Sequence, residues 1–178
     1  DIDTLLYTLS ENANETQGWG RSGETWNTMD ALQRLAGDTW FRLGDNDLAT
    51  HLWRTSLLDQ GESLLSITGR LARQLGIASH IYPMCEERVR TTVRCQGRDL
   101  PFQQYFVKEQ CKPAVTGFRF EGIADARPNA DVLALLRDAA FAAIVVCPSN
   151  PFVSIDPILQ IPGFWQVLRD NPAPVVLV

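Results

Sequence analysis

Two unbroken apolar runs near the end of the chain, Ala142–Cys147 and Val175–Val178, constrain its fold more than any other feature. A short run without polar alternation fits a strand covered on both faces, and such strands belong to parallel sheets. The flanking segments agree. Pro128-Asn129 opens a helix bearing Val132, Leu135 and Leu136, and Pro148-Ser149-Asn150-Pro151 follows the first run as a loop. A turn and short helix over about 162–170 lead into the second run. Helix, strand, loop, helix, strand is the repeat of a doubly wound sheet. The expected fold is α/β, a doubly wound, mostly parallel Rossmann-like sheet with helices on both faces. Ligands in such sheets bind beyond the carboxyl ends of the strands.

Helical spacing of Ile2, Leu5, Leu6 and Leu9 predicts a helix over 2–11, followed by a polar loop over 12–24 that carries Trp19. Trp26, Met29, Leu32, Leu35 and Ala36 predict a second helix, with Gly37 at its C′ position. Thr39–Leu43 reads as a strand and Gly44–Asp47 as a turn in which Asp47 caps a helix over 48–59. Ser63 caps a further helix that ends before Gly76, and Ile77–Tyr82 reads as a strand ended by Pro83. A small excursion around 85–122 is expected, with strands at Val89–Cys95 and Val115–Gly122; residues 102–110 fit strand or helix.

The 178 residues suffice for one domain with a substantial core. A net charge of −5 argues against nucleic acid or an anionic membrane as partner, because both are held by excess Lys and Arg. A small phosphorylated ligand needs only a few placed donors or a metal, so it is compatible. No run approaches the roughly 20 apolar residues of a membrane span, and no signal segment opens the chain. Cys85, Cys95, Cys111 and Cys147 form no CxxC pair and have no metal-ligand spacing with His51 or His80. They are expected to be reduced, buried thiols in a cytoplasmic protein. The chain opens on Asp1 without an initiator Met and closes on a core strand, so a piece of a longer protein is expected.

Three places carry possible chemistry. Asp1 and Asp3, two apart at a helix start, can project to one site and suit Mg²⁺, which takes one or two protein carboxylates plus phosphate oxygens. The same residues also serve as plain helix-terminal caps. Arg42, placed before the acidic turn of Asp45 and Asp47, can hold a carbonyl or phosphate by paired hydrogen bonds. A capped turn with a solvated arginine explains it equally. Thr50 and His51 lie one turn further on. Ser149 and Asn150, in a two-proline loop at the end of a strand, stand where an α/β sheet binds phosphate or nucleotide. Together these point to a phosphate-handling α/β enzyme and name no reaction.

Read as strings, the same segments resemble one family, the 2-phospho-L-lactate transferases of deazaflavin coenzyme F-420 biosynthesis. Asp1-Ile2-Asp3-Thr4 with Tyr7-Thr8-Leu9 is similar to its PDxDTxxYTL segment. Gly18-Trp19-Gly20 and Thr25–Met29 resemble its GWG and TFNTM stretches, and Trp40–His51 its WFxLGDRDLATH block. Gln104–Val107, Phe120–Ile123 and Pro148–Ile155 complete the set in family order, across essentially the whole chain.

The resemblance implies a homodimer and Mg²⁺-dependent transfer of a 2-phospho-L-lactyl or phosphoenolpyruvyl group. The donor is its guanosine diphosphate ester, the acceptor is the ribityl hydroxyl of 7,8-didemethyl-8-hydroxy-5-deazariboflavin, and GMP leaves. Asp3 and Arg42 are implied as acceptor contacts, Asp1 or Asp3 as metal ligands, and the same two aspartates as catalytic groups near the hydroxyl. Ser149 and Asn150 are implied near the phosphates, with Asp45, Asp47, Thr50 and His51 in the surrounding shell. The family's upstream Gly-rich loop and the part after Val178 are absent, so the chain is expected to be the central part of a single transferase domain. Asn46 stands where many members have Arg, and Cys147 and Asp156 replace glycines of the common GPSNPFxSIGP form. Two alternatives remain open: a non-catalytic nucleotide-sugar-binding regulator on the related fold, and a same-fold transferase using a 3-phosphoglycerate donor.

Overall fold

The computed structural model describes residues 1–16, 18–138 and 141–178, which divide into two compact units, 1–83 and 84–178. The first unit is helical: α1 (Ile2–Leu9), α2 (Asn27–Arg34), α3 (Asp45–Asp59) and α4 (Leu64–Gln74). Both α1 and α3 pack on α4. Their apolar stripes meet in a core of Leu6, Tyr7, Leu57, Ile67, Leu71, Ala72 and Ile81. Asp1 caps α1 and Ser63 caps α4. All four helices close in the same way, with crossed hydrogen bonds over a residue of positive φ that satisfy the last carbonyls. In α2 that residue is Ala36, at φ 56°, so Gly37 lies one position later than expected.

Two expected strands are absent from this unit. Thr39–Leu43 is irregular, because no strand among the described residues of this unit offers a ladder, and its rings pack on each other and on Trp19 instead. The Phe41 ring lies 5.8 Å from Trp19 and 5.6 Å from Trp40. Ile77–Tyr82 is also irregular, and Ile77 and Ile81 fill the helical core. The third helix begins at Asp45, with Gly44 at its N-cap, so Asp47 lies inside the first turn and is not the cap.

The second unit holds two small sheets. Strands β1 (Arg90–Cys95), β2 (Arg98–Pro101) and β3 (Val115–Glu121) form an antiparallel sheet in the order β2-β1-β3. Gln96 and Gly97, both at positive φ, make the two-residue turn between β1 and β2. Val93, Cys95 and Leu100 face inward with Phe102, Tyr105 and Phe118. Residues 104–108 are helical, which resolves the ambiguity over 102–110. The chain continues through α5 (Ala130–Asp138), β4 (Ile144–Val146), α6 (Asp156–Leu159), α7 (Phe164–Asp170) and β5 (Val175–Leu177). A separate cluster of Cys85, Ala126 and Ile161 anchors the segment before α7.

Strands β4 and β5 pair in parallel, as the apolar runs require. They are not buried: Val145 is 53% exposed and Leu177 79%. On β4 only Ile144 and Val146 are half-buried, and all of β5 is exposed, so apolar composition alone does not deliver burial. The fold class is mixed α/β. All four cysteines are free, but Cys111 and Cys147 are exposed, so burial holds only for Cys85 and Cys95. Among the described residues no helix is long and apolar enough to cross a membrane.

Candidate active site

The densest polar cluster of the first unit joins α1 to α3. Asp3 and Tyr7 lie four apart on α1, hence on one face; Asp47, His51 and Arg54 lie four and three apart on α3. The Arg54 guanidinium grips the Asp3 carboxylate with both terminal nitrogens, Nη2 reaching Oδ2 at 2.7 Å. Nη2 also meets His51 Nδ1 at 2.9 Å. On its other side His51 Nε2 stands 3.5 Å from Asp47 Oδ1 and 3.8 Å from Asp3 Oδ2. Asp47 is 5% exposed and accepts a 2.6 Å hydrogen bond from the buried Tyr7 hydroxyl. Burial, then the Asp47 carboxylate, pushes the Tyr7 phenol far above its ordinary value, and the bonds to Asp3 push Arg54 higher still.

A shallow recess opens beside Asp47, walled by Trp19, Arg21, Glu24, Trp26 and Arg42. The Arg42 guanidinium lies 5.0 Å over the Trp26 ring and pairs with Asp30 at 3.2 Å. Arg21 lies 5.5 Å over the Tyr7 ring, and its buried Nε has no hydrogen-bond partner among the described residues. Two planar cations thus lie against aromatic faces beside the Asp47 carboxylate, with Arg42 already paired to Asp30.

The recess is framed by reciprocal capping. Glu24 accepts from the Asn46 and Asp47 backbone N–H groups at 2.7 and 2.9 Å and closes the start of α3. Asp45 accepts from the Thr25 hydroxyl, the Asn27 backbone and side chain and the Thr28 backbone, closing the start of α2. The Thr25 hydroxyl bond, then the Thr28 backbone bond, holds the Asp45 carboxyl well below the usual range. A Cβ at Gly44 would collide with the Glu24 side chain, so Glu24 keeps its capping position only with glycine there.

Asp3, Asp47 and His51 meet in one cluster, Thr50 lies beside it with its hydroxyl on the Asn46 carbonyl (3.2 Å), and Arg42 stands on the recess wall. Asp45 is turned into the α2 cap. Asp1 caps α1, its Oδ1 accepting from the Asp3 and Thr4 backbone N–H groups. Ser149 and Asn150 belong to the second unit, at the C-terminal end of β4, where Asn150 accepts from Phe152 and Val153 and caps the turn after it. Arg54, Tyr7, Glu24 and Arg21 were not candidates. Arg54 and Tyr7 share helices with Asp47, His51 and Asp3, but spacing along one helix does not show that the two helices meet; Glu24 and Arg21 sit in an irregular loop that no periodicity reaches.

Among the described residues no group of three or more His, Cys, Asp or Glu side chains is placed to hold a metal. Asp1 fits a Mg²⁺ completed by water and substrate oxygens, since its cap uses Oδ1 alone. Both oxygens of Asp3 are already engaged by Arg54.

A family model described as 2-phospho-L-lactate transferase CofD matches residues 1–178. Phosphoenolpyruvate transferases from Kitasatospora aureofaciens, Mycolicibacterium smegmatis and Mycobacterium leprae are 39%, 36% and 37% identical to the chain. Each match takes in 99% of this chain but only 56%, 55% and 54% of the relative, so the chain spans about half their length. Two crystal structures of a Bacillus halodurans protein of the UPF0052 family share the fold, at TM-scores of 0.60 and 0.59 and 14% identity. They overlay 97% and 99% of this chain, and 51% and 64% of theirs.

Proposed function

The chain belongs to the 2-phospho-L-lactate transferase CofD family, and on that footing we propose that it takes part in moving a phospho-acid group onto a deazaflavin in coenzyme F-420 biosynthesis. The donor in this reading is a guanosine diphosphate ester, and the names of the bacterial relatives favour phosphoenolpyruvate as the acid over lactate or glycerate. The observation that carries the reading is the Asp3 carboxylate, fixed in the same cluster as Asp47, which in turn borders the Arg42 recess.

In the reaction the ribityl hydroxyl oxygen bonds to the phosphorus that carries the acid. The bridging P–O bond breaks, its electron pair leaves with GMP, and the hydroxyl proton is released. Asp3 accepts the hydroxyl hydrogen bond and aims the oxygen along the line of attack, which is most of what such a transfer asks of a protein. Arg42 holds the acceptor through the planar donors of its guanidinium. Asp47, Thr50 and His51 complete the wall around the hydroxyls, and Asp45 fixes the turn that presents them. Ser149 and Asn150 take donor phosphate oxygens. Mg²⁺, if bound, would neutralise charge on the diphosphate, and Asp1 is the residue this reading gives to it. The reading further takes the working enzyme to be a cytoplasmic homodimer, with β4 and β5 as members of a larger doubly wound sheet.

Calorimetry on the complete protein tests the ligand class. Binding of the deazaflavin, and no binding of UDP-sugars, is expected; the reverse preference would make the protein a nucleotide-sugar binder and end this reading.

A further inference from the structure

We propose that Arg54 is a positioning residue for the transfer, its guanidinium fork locking the Asp3 carboxylate in one orientation and turning His51 so that its Nε2–H faces Asp47 and Asp3. The proposal rests on the reading of Asp3 as the acceptor contact.

Arg54 comes from the third turn of α3 and Asp3 from the first turn of α1, 51 residues apart. Their side chains are 14% and 19% exposed, so water competes weakly for the pair. Two parallel bonds fix the carboxylate plane as well as its position, which one bond to a lysine ammonium would not do. The same Nη2 reaches His51 Nδ1 at 2.9 Å. A guanidinium only donates, so Nδ1 accepts, and the proton of the neutral ring sits on Nε2. That N–H faces Asp47 Oδ1 at 3.5 Å and Asp3 Oδ2 at 3.8 Å. The Tyr7 hydroxyl holds Asp47 from the opposite side at 2.6 Å. Each carboxylate of the cluster is thereby anchored by a buried or half-buried donor, and a single cation sets both Asp3 and the imidazole.

The alternative is that Arg54 only pins α1 to α3. Kinetics of the complete protein separate the two, using Arg54→Ala, Arg54→Lys and Asp3→Asn and checking folding by near-UV circular dichroism. Loss of the fork is expected to lower kcat/KM for the deazaflavin about 100-fold while KM for the guanylylated donor stays within twofold. Millimolar guanidinium should restore part of the loss in Arg54→Ala, and Arg54→Lys should remain well below wild type. Nitrogen-15 NMR of His51 should show the Nε2–H tautomer in wild type and a tautomer mixture in Arg54→Ala. A folded Arg54→Ala with wild-type acceptor kinetics, or an Nδ1–H tautomer in wild type, overturns the proposal. Should Arg54→Ala fail to fold, Arg54→Lys decides: an acceptor-specific loss supports the role and wild-type kinetics removes it. If Asp3→Asn keeps full acceptor kinetics, the acceptor reading has failed, and the His51 tautomer still reports separately on the fork.

Discussion

Tyr7 joins the core of the first unit to its polar cluster. It is 2% exposed, contributes its ring to the core and its hydroxyl to Asp47, and has the Arg21 guanidinium over its face. Tyr7→Phe keeps the packing but leaves a buried carboxylate without its donor, which costs about 2 kcal/mol because bonds to charged groups are worth more than neutral ones. A urea titration of the variant should show that loss with an unchanged m-value. Asp3, Arg42 and His51 were legible as candidates because acidic, basic and imidazole groups mark themselves in a string. Their partners Arg54 and Tyr7 were not, since a charged or aromatic residue on a helix is ordinarily explained by solvent or core, and only the pairing of two helices distinguishes them.

At the scale of elements, the helices were legible and two of the strands were not. Caps such as Asp1 and Ser63 and the apolar stripes of α1 and α4 are local signals, and they located those helices. Thr39–Leu43 and Ile77–Tyr82 look like strands by composition, but a strand exists only with a neighbour, and the described residues of the first unit provide none. The exchange of caps between α2 and α3 is likewise a matter of two elements, with Asp45 and Glu24 twenty-one positions apart. It has a pH signature. The depressed Asp45 carboxyl contributes stability that is fully present above the ordinary aspartate range, near pH 4, and is lost as pH falls toward its own lower value. The stability difference between wild type and Asp45→Asn should therefore be level from about pH 5 to 8 and shrink below about pH 4. Thermal melts across that range check it; a difference that grows on acidification would contradict the capping role.

For the whole molecule, α/β class and parallel pairing of β4 with β5 followed from the two apolar runs, while the exposure of those strands did not, because burial depends on layers beyond the strand itself. Family membership was legible because blocks such as Trp40–His51 combine turn, cap and polar cluster in one stretch, with Asp45 in the α2 cap and Asp47 and His51 in the cluster. The central claim is that Asp3, set by Arg54 beside Asp47 and the Arg42 recess, presents an acceptor hydroxyl for phospho-acid transfer. Acceptor-dependent GMP release by the complete protein in the presence of Mg²⁺, wild type against Asp3→Asn, tests it most directly. GMP should appear only when the deazaflavin is present, and Asp3→Asn should lower that rate about 100-fold. GMP release without the acceptor, or at the wild-type rate from Asp3→Asn, would contradict the account.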